Sequence, residues 1–313
     1  MNTTTKDLLD WTDEDIAAWS PTQSGSAHRA NHRLAETGLF EDEALIALLD
    51  TIPRESVHPY TMGSDPVATS QWQRGKISTL PGAELLETVR RGQLWLNVVR
   101  VHENDPKMHD LLTSLYEQIA QRAPGFDITD VSATLLISSP TAQVYYHADN
   151  QPNALWHVRG SKRVYVYPGG EPFLSTQHLE QIVSGNSDEQ LPYRKDFDDA
   201  ATVLELGAGQ VGWWPQNRPH RVENVSGLNV SLSTEYRTVE STRREHVWTA
   251  NHYGRSLTRR QSWSTTESGL APAAKVSLMR SSRKLIGRRS AGAGPAATFE
   301  IDPSDPQGVR SLI

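Results

Sequence analysis

The central part of the chain alternates apolar and polar residues in short runs, which is the pattern of half-buried β-strands. Between Val57 and Val239 these runs are rich in β-branched and aromatic residues, and turn-forming segments such as SSPTA, NQPN, RGS, PGG and GAG separate them. The strand-like runs are QLWLNVVRV, VSATLLISS, QVYYHAD, KRVYVYP, QVGWWP and NVSLSTEY. One helical run, MHDLLTSLYEQIAQRA, interrupts the first two of them. Many short strands joined by tight turns predict a barrel or a sandwich.

Different patterns precede and follow this strand-rich region. Residues 1–56 predict a helical segment: DWTDEDIAAW places acidic residues just after an N-cap, and EDEALIALLDTI puts three leucines on one helical face. Residues 240–313 are rich in Ser, Arg, Gly and Ala, with one basic helix predicted in KVSLMRSSRKLIGRR and a flexible joint in SAGAGPAA. We therefore divide the chain into an N-terminal helical segment (1–56), a β-domain (57–239) and a basic C-terminal extension (240–313).

The absence of cysteine limits the kinds of site that the chain can hold. Its 313 residues, 37% of them hydrophobic, can bury a sizeable core, but disulfides, thiolate zinc sites and cysteine nucleophiles are excluded. A bound metal would therefore need histidine and carboxylate ligands. The first residues, MNTTTKDLLDW, lack the apolar run of a signal peptide. A membrane span needs about 18 consecutive apolar residues, and no stretch of the sequence is nearly that long. These features predict a cytoplasmic protein without a membrane partner.

Charge is distributed unevenly along the chain. Residues 241–313 contain twelve Lys or Arg and five Asp or Glu, so this tail has a net charge of +7. The whole chain has a net charge of −6, so the other residues together carry −13. Such a tail could bind nucleic acid, or it could pack on the acidic body or on a neighbouring subunit of a homodimer. We favour packing over nucleic-acid binding because the end of the chain has an apolar side, formed by Phe299, Ile301, Val309, Leu312 and Ile313.

The candidate chemistry lies in His147, Asp149 and His220. The first two stand two residues apart in the strand-like run YYHAD, so their side chains point to the same face. His220 follows Trp-Trp-Pro-Gln-Asn-Arg-Pro and starts another strand-like run. Two histidines and one carboxylate on one face of a metal ion leave its other positions open, which is the arrangement of iron(II) oxygenases. His28 and His32 have the spacing of a helical metal pair, but no third ligand accompanies them.

The residues that follow the metal motif, HADNQPNALWHVRGSKRVYVYP, resemble the Jumonji-C/cupin-like family of Fe(II)/2-oxoglutarate-dependent oxygenases, especially its asparaginyl-hydroxylase-like branch. As in that branch, an Asn and a Lys stand four and thirteen residues after the metal-binding Asp, here Asn153 and Lys162. The resemblance covers residues 34–237. It implies a mainly β fold with flanking helices, a double-stranded β-helix of the cupin or jelly-roll type. It also implies a hydroxylase that binds Fe(II) and converts 2-oxoglutarate to succinate.

The resemblance also assigns residues to the cosubstrate. Lys162 would bind the distal carboxylate of 2-oxoglutarate through a charge-assisted hydrogen bond, and Asn153 would contact the C1 carboxylate. The family often has Thr-Pro just before the metal-binding His, where this chain has Val144-Tyr145-Tyr146. We therefore expect Tyr145 or Thr134 to supply the missing hydroxyl group.

Two other hypotheses stay open at the level of sequence. A metal-dependent cupin enzyme that does not use 2-oxoglutarate would usually need a third or fourth histidine near the metal. A catalytically degenerate Jumonji-like module would instead bind a partner; the intact ligand set counts against this hypothesis, and the missing Thr-Pro counts for it. The sequence does not identify the substrate, which could be a small molecule or a protein side chain.

Overall fold

The described part of the chain is mainly β-strand with helices at its flanks. The structure is a computed structural model, and it describes residues 7–19, 26–123, 125, 127–185, 189–258, 263–267, 269–286 and 296–312. Its helices are α1 (Asp13–Ala18), α2 (Asp42–Thr51), α3 (Gly82–Arg91), α4 (Val101–Asn104), α5 (Pro106–Arg122), α6 (Thr176–Val183), α7 (Val239–Thr258) and α8 (Leu270–Ile286). Its strands are β1 (Leu9–Asp10), β2 (His28–His32), β3 (Val57–Thr61), β4 (Gln73–Lys76), β5 (Leu94–Val98), β6 (Ile128–Ser138), β7 (Gln143–His147), β8 (Asn153–Val166), β9 (Thr202–Gly207), β10 (Gln210–Trp213), β11 (His220–Thr238), β12 (Phe299–Ile301) and β13 (Val309–Ser311).

Two long antiparallel strands, β8 and β11, each belong to two sheets. The larger sheet runs β2-β10-β8-β11-β6-β5-β3-β4, and the smaller one runs β9-β8-β11-β7. Where the strands pass between the sheets, their register shifts between Asn224 and Ser231. Gly160 lies in this bend with a φ of 82°, and a Cβ there would approach the Asn229 side chain to 2.8 Å, so glycine is required. Two sheets that share bent strands form the predicted double-stranded β-helix.

Strand alternation separates the core of the protein from an internal cavity. On β6, Ala133, Leu135 and Ile137 are buried in the main hydrophobic core, whereas Thr134 and Leu136 line the cavity. Helices α2, α3 and α5 cover the core side of the larger sheet. The predicted helix between β5 and β6 is α5, while α3 and α6 interrupt the strands without having been predicted. The face of the larger sheet that points away from this core lines the cavity, where a site can form.

The N-terminal segment is not only helical, which corrects the sequence-based prediction for residues 1–56. Helices α1 and α2 form as expected, but His28–His32 is a strand that pairs antiparallel with β10. The strand buries Ala30 and His32 on one face and extends the larger sheet at its edge. His28 pairs with Asp15 at 2.8 Å, while Nε2 of His32 lies 3.1 Å from the carbonyl oxygen of His157. The two histidines therefore have different partners and do not form a metal pair.

The C-terminal extension folds back onto the β-domain, as predicted. Strand β12 pairs in parallel with β4, and β13 pairs with β12. Phe299 and Ile301 are buried in the main core, whereas Leu312 is exposed. The basic helix, predicted at 275–289, begins earlier, at Leu270. Residues 290–295 of the predicted joint and Ile313 lie outside the described residues. Within the described residues, no helix combines the length and the apolar character needed to cross a membrane.

Candidate metal centre

The structure brings His147, Asp149 and His220 together at the end of β7 and the start of β11. Potential ligand atoms of the three side chains lie within 4.8 Å of one another. Nε2 of His147 is 3.6 Å from Oδ1 of Asp149, and Nε2 of His220 is 3.5 Å from Oδ2 of the same carboxylate. His147 and His220 are directly opposite each other in the register of the two strands. The pairing of β7 with β11 thus unites ligands that are 73 residues apart in the sequence.

Backbone carbonyl groups determine which nitrogen of each imidazole faces the centre. Nδ1 of His147 lies 2.8 Å from the carbonyl oxygen of Tyr145, and Nδ1 of His220 lies 3.0 Å from that of Arg218. Because a carbonyl oxygen only accepts, both Nδ1 atoms carry the proton, and each Nε2 presents a lone pair to the Asp149 carboxylate. Two lone pairs and a carboxylate that converge in this way fit the donor set of a divalent metal ion.

Burial keeps His220 in the state that a metal ligand needs. The residue is only 3% exposed. Burial, together with the nearby His147, lowers the pKa of His220 to about 4, although the Asp149 carboxylate opposes the shift. The imidazole is therefore neutral near pH 7 and can bind a metal without first losing a proton.

Hydrogen bonds from two asparagines hold the Asp149 segment in place. Asn153 donates from Nδ2 to Oδ2 of Asp149 at 3.1 Å. Asn217 donates from Nδ2 to the backbone oxygens of Asp149 at 2.9 Å and Asn150 at 3.2 Å. Asn217 has a φ of 60°, a left-handed conformation that asparagine tolerates better than most residues. The carboxylate and its backbone are thus both oriented before any ion binds.

A cavity of about 380 Å³ extends from the three ligands into the barrel. Lys162 lines it opposite Asn224, which is four residues beyond His220 on β11, about 13 Å along the strand. Lys162 is 4% exposed, and it has no hydrogen-bond or ion-pair partner among the described residues. Burial lowers its pKa to about 7. The cavity therefore contains a buried lysine that has no counter-ion among the described residues.

The other residues predicted to bind the cosubstrate also line this cavity. The side chains of Thr134 and Tyr145 face it, and the Tyr145 hydroxyl accepts a hydrogen bond from the Gly63 amide at 3.1 Å, which leaves its own proton free to be donated. Asn153 lines the cavity as well, but its amide already contacts Asp149 and, at 3.1 Å, Oγ of Ser233. Its position therefore suits orientation of the metal ligand better than the predicted contact with the cosubstrate.

Sequence reasoning missed several residues of the site, including Asn217 and Glu235. Glu235 lies on β11 opposite Asn153 and opens into the cavity. Glu235 is exposed where the cavity opens, and partial desolvation by the cavity wall, together with the charge of Asp149, raises its pKa. One signal in the sequence could have revealed it: in SLSTEY, Ser231, Ser233 and Glu235 alternate with residues that face the core. A polar face on a central strand indicates a cavity.

Comparison with known proteins connects this arrangement to a fold. No family model matches the chain, and no curated protein matches it by sequence. The X-ray structure of YcfD from Escherichia coli is 14% identical, with a TM-score of 0.50, over 92% of this chain and 71% of that one. The structure of YcfD, described as a ribosomal oxygenase, in complex with cobalt and 2-oxoglutarate is also 14% identical, with a TM-score of 0.51, over 90% and 69% of the two chains. The chain therefore has the jelly-roll fold of the cupin/Jumonji-C type, as the resemblance in its sequence implied.

Proposed function

We propose that this protein is an Fe(II)/2-oxoglutarate-dependent oxygenase that hydroxylates its substrate and converts 2-oxoglutarate to succinate. One observation carries the proposal: three converging metal ligands and an unpaired buried lysine face the same cavity. 2-Oxoglutarate has a keto acid that can chelate a metal and a distal carboxylate that needs a cation. The cavity offers a partner for each end.

The proposed roles follow from the contacts of each residue. His147, Asp149 and His220 would hold iron, which supplies the redox chemistry with oxygen when it is bound. Lys162 would pair with the distal carboxylate, and the Tyr145 hydroxyl or that of Thr134 could donate a further hydrogen bond to the cosubstrate. The apolar parts of the wall, such as Leu136, Leu155 and Val222, limit the access of water to the bound acid. The fold shared with a protein that was crystallised with cobalt and 2-oxoglutarate supports these assignments.

The lysine favours this proposal over a cupin enzyme that does not use 2-oxoglutarate. Among the described residues, the ligand group contains two histidines and one carboxylate, without the additional histidine expected of such enzymes. An unpaired ammonium group in a buried cavity also costs free energy unless an anionic ligand neutralises it. A degenerate binding module would have no need of imidazoles whose tautomers are fixed toward one point.

The substrate would enter the same cavity. Its wall contains the rings of Tyr60, Trp72 and Trp95 together with the Glu235 carboxylate, so these groups would contact the molecule that is oxidised. Because the related fold belongs to a ribosomal oxygenase, a protein side chain is one class to test, and a small molecule is the other. A homodimer and a cytoplasmic location stay predictions from the sequence.

Anaerobic spectroscopy tests the proposal. Iron(II) with 2-oxoglutarate should give a weak visible charge-transfer band, and admission of air should release succinate. Asp149→Ala should lose the band and the succinate, whereas Asp196→Ala, which removes an exposed carboxylate far from the cavity, should keep both. Iron binding without the band would favour the other cupin hypothesis. Unchanged iron binding by Asp149→Ala would refute the ligand assignment.

A further inference from the structure

A second cavity, of about 600 Å³, lies beside the loop that leads into His220. Pro215–Arg218, the glycines at 169 and 170, the start of α6, the first turns of α7 and Glu267 line it. We call it the arginine cavity, because the side chains of Arg218, Arg243 and Arg244 all face it. The guanidinium groups of these three arginines have no role in the proposed oxygenase reaction.

The arginine cavity has more positive than negative charge in contact with it. All three arginines are half-buried, but only Arg244 has an ion-pair partner among the described residues, namely Glu267. Arg218 and Arg243 have no such partner there. Burial lowers the pKa of Arg244, and despite Glu267 the charge of Arg218 lowers it further. The lining thus has three arginines and two carboxylates, Glu240 and Glu267, a net charge of 3 − 2 = +1, and two of its guanidinium groups have no ion-pair partner among the described residues.

Local packing orients one of these guanidinium groups, that of Arg244. Nη1 of Arg218 lies beside Gly169, where a Cβ would be 3.4 Å away, an ordinary van der Waals distance. Arg244 donates from Nε to Oδ1 of Asn217 at 2.9 Å, and its Cζ lies 5.7 Å from the centre of the Trp248 ring. Guanidinium groups that are held in this way lose less freedom when an anion binds.

The charge and the shape of the cavity select one class of anion. A phosphate monoester carries a charge of about −1.5 to −2 near pH 7 and has three acceptor oxygens, which match two unpaired guanidinium groups. A carboxylate has only two acceptor oxygens, which a single guanidinium group can occupy, so it would leave the second group without a partner. Glu240, exposed at the cavity wall, would repel a continuous polyanion such as nucleic acid. We propose that the arginine cavity binds the phosphoryl group of a small phosphorylated molecule.

Such a ligand would be connected to the candidate metal centre through Asn217. The Asn217 amide oxygen accepts from Arg244, while its nitrogen donates to the backbone oxygen of Asp149. The carbonyl oxygen of Arg218 accepts from Nδ1 of His220. A phosphoryl group on the arginines would therefore change the affinity of the centre for metal. This coupling depends on the metal centre proposed above, whereas phosphate binding does not.

Binding of inorganic phosphate to the full-length, metal-free protein tests the proposal. Calorimetric titration at constant ionic strength should detect binding that Arg218→Gln/Arg243→Gln weakens at least tenfold. Arg163→Gln removes an exposed arginine outside the cavity and should bind like the parent. If the double variant unfolds, Arg243→Gln alone serves, and it should also weaken phosphate binding measurably.

Titrations with other anions test which class of anion the arginine cavity prefers. Phenyl phosphate should bind with the same dependence on the arginines as inorganic phosphate, whereas the arginine-dependent part of succinate binding should be weaker. Absence of phosphate binding, or binding that is indifferent to both arginines, overturns the proposal. Tighter arginine-dependent binding of a single-stranded oligonucleotide than of phenyl phosphate would overturn it in favour of a nucleic-acid surface. Succinate binding that is as tight as phosphate binding and is lost in Arg218→Gln/Arg243→Gln would overturn the phosphoryl assignment; succinate binding that both arginine replacements leave unchanged belongs to the Lys162 cavity.

Discussion

The amide nitrogen of Asn153 lies 3.1 Å from Oδ2 of Asp149, and it lies equally far from Oγ of Ser233 on the neighbouring strand β11. Asn153 therefore links the candidate carboxylate ligand to the sheet that also contains His220. Because carboxylates rotate easily about their terminal bond, an amide at this position restricts Asp149 to the orientation that faces both imidazoles.

Replacement of Asn153 should consequently weaken metal binding. We expect Asn153→Ala to reduce the affinity for Fe(II) or Co(II) by about 10- to 100-fold, the usual effect of losing a hydrogen bond to a metal ligand. Anaerobic titration of the metal measures this effect. Asn31→Ala, at an exposed position on β2, is the matched control and should bind metal like the parent. Unchanged metal affinity together with weaker 2-oxoglutarate binding would instead favour the direct contact with the cosubstrate that the family resemblance implied.

Lys162→Met should weaken 2-oxoglutarate binding without affecting the metal. The variant would leave the distal carboxylate in a buried site without its cation, which costs about 3–5 kcal/mol, or more than a hundredfold in affinity. Titration of the charge-transfer band with 2-oxoglutarate gives the cosubstrate affinity, and titration with metal alone provides the control. If Lys162→Met binds 2-oxoglutarate as tightly as the parent, the distal carboxylate has a different partner.

The same lysine predicts how stability depends on pH in the absence of cosubstrate. Its pKa is lowered to about 7 in the folded protein, while an unfolded chain has a lysine pKa of about 10.4. Between these values the unfolded state binds more protons, so the free energy of unfolding should rise with pH through this interval. Denaturant unfolding at several pH values measures the rise, and Lys162→Met should lack this contribution. A parent and a variant with parallel pH profiles would show that Lys162 is solvated in the free protein.

Local patterns account for most of what could be predicted from the sequence. Alternation along β6 and β8 is a property of neighbouring residues, and Thr134 and Lys162, both named as candidates from the sequence, line the same cavity. The H-x-D pair and the later His220 are likewise recognisable without tertiary information. The same strands predicted a barrel or a sandwich, whereas the double-stranded β-helix was implied by the family resemblance of residues 34–237.

What could not be predicted depends on contacts between distant parts of the chain. HRANH contains no β-branched residue, and it becomes strand β2 only because β10 offers it an edge to pair with. Asn217 acts on Asp149 only because its backbone is left-handed and Arg244 holds its side chain, 27 residues further along the chain. No local pattern in the sequence reports such contacts.

The docked end of the chain provides a test of how much the C-terminal extension stabilises the domain. Phe299 is fully buried against β4. Its ring occupies the space that a Cβ on Gly75 of that strand would need. Phe299→Ala should lower the free energy of unfolding by about 3–5 kcal/mol, as expected for a buried aromatic residue. Leu312→Ala, at an exposed position of the same extension, should change it by less than about 0.5 kcal/mol.

A double-mutant cycle makes this prediction specific to the contact between the two residues. Gly75→Ala should be destabilising in the parent, because its Cβ would overlap the Phe299 ring, but close to neutral in the Phe299→Ala background, where the space is free. Denaturant unfolding of the four proteins measures the coupling. Equal effects of Gly75→Ala in both backgrounds would mean that β12 does not pack on β4 in solution. The basic extension would then be available for other partners, including the nucleic acid that its charge alone would allow.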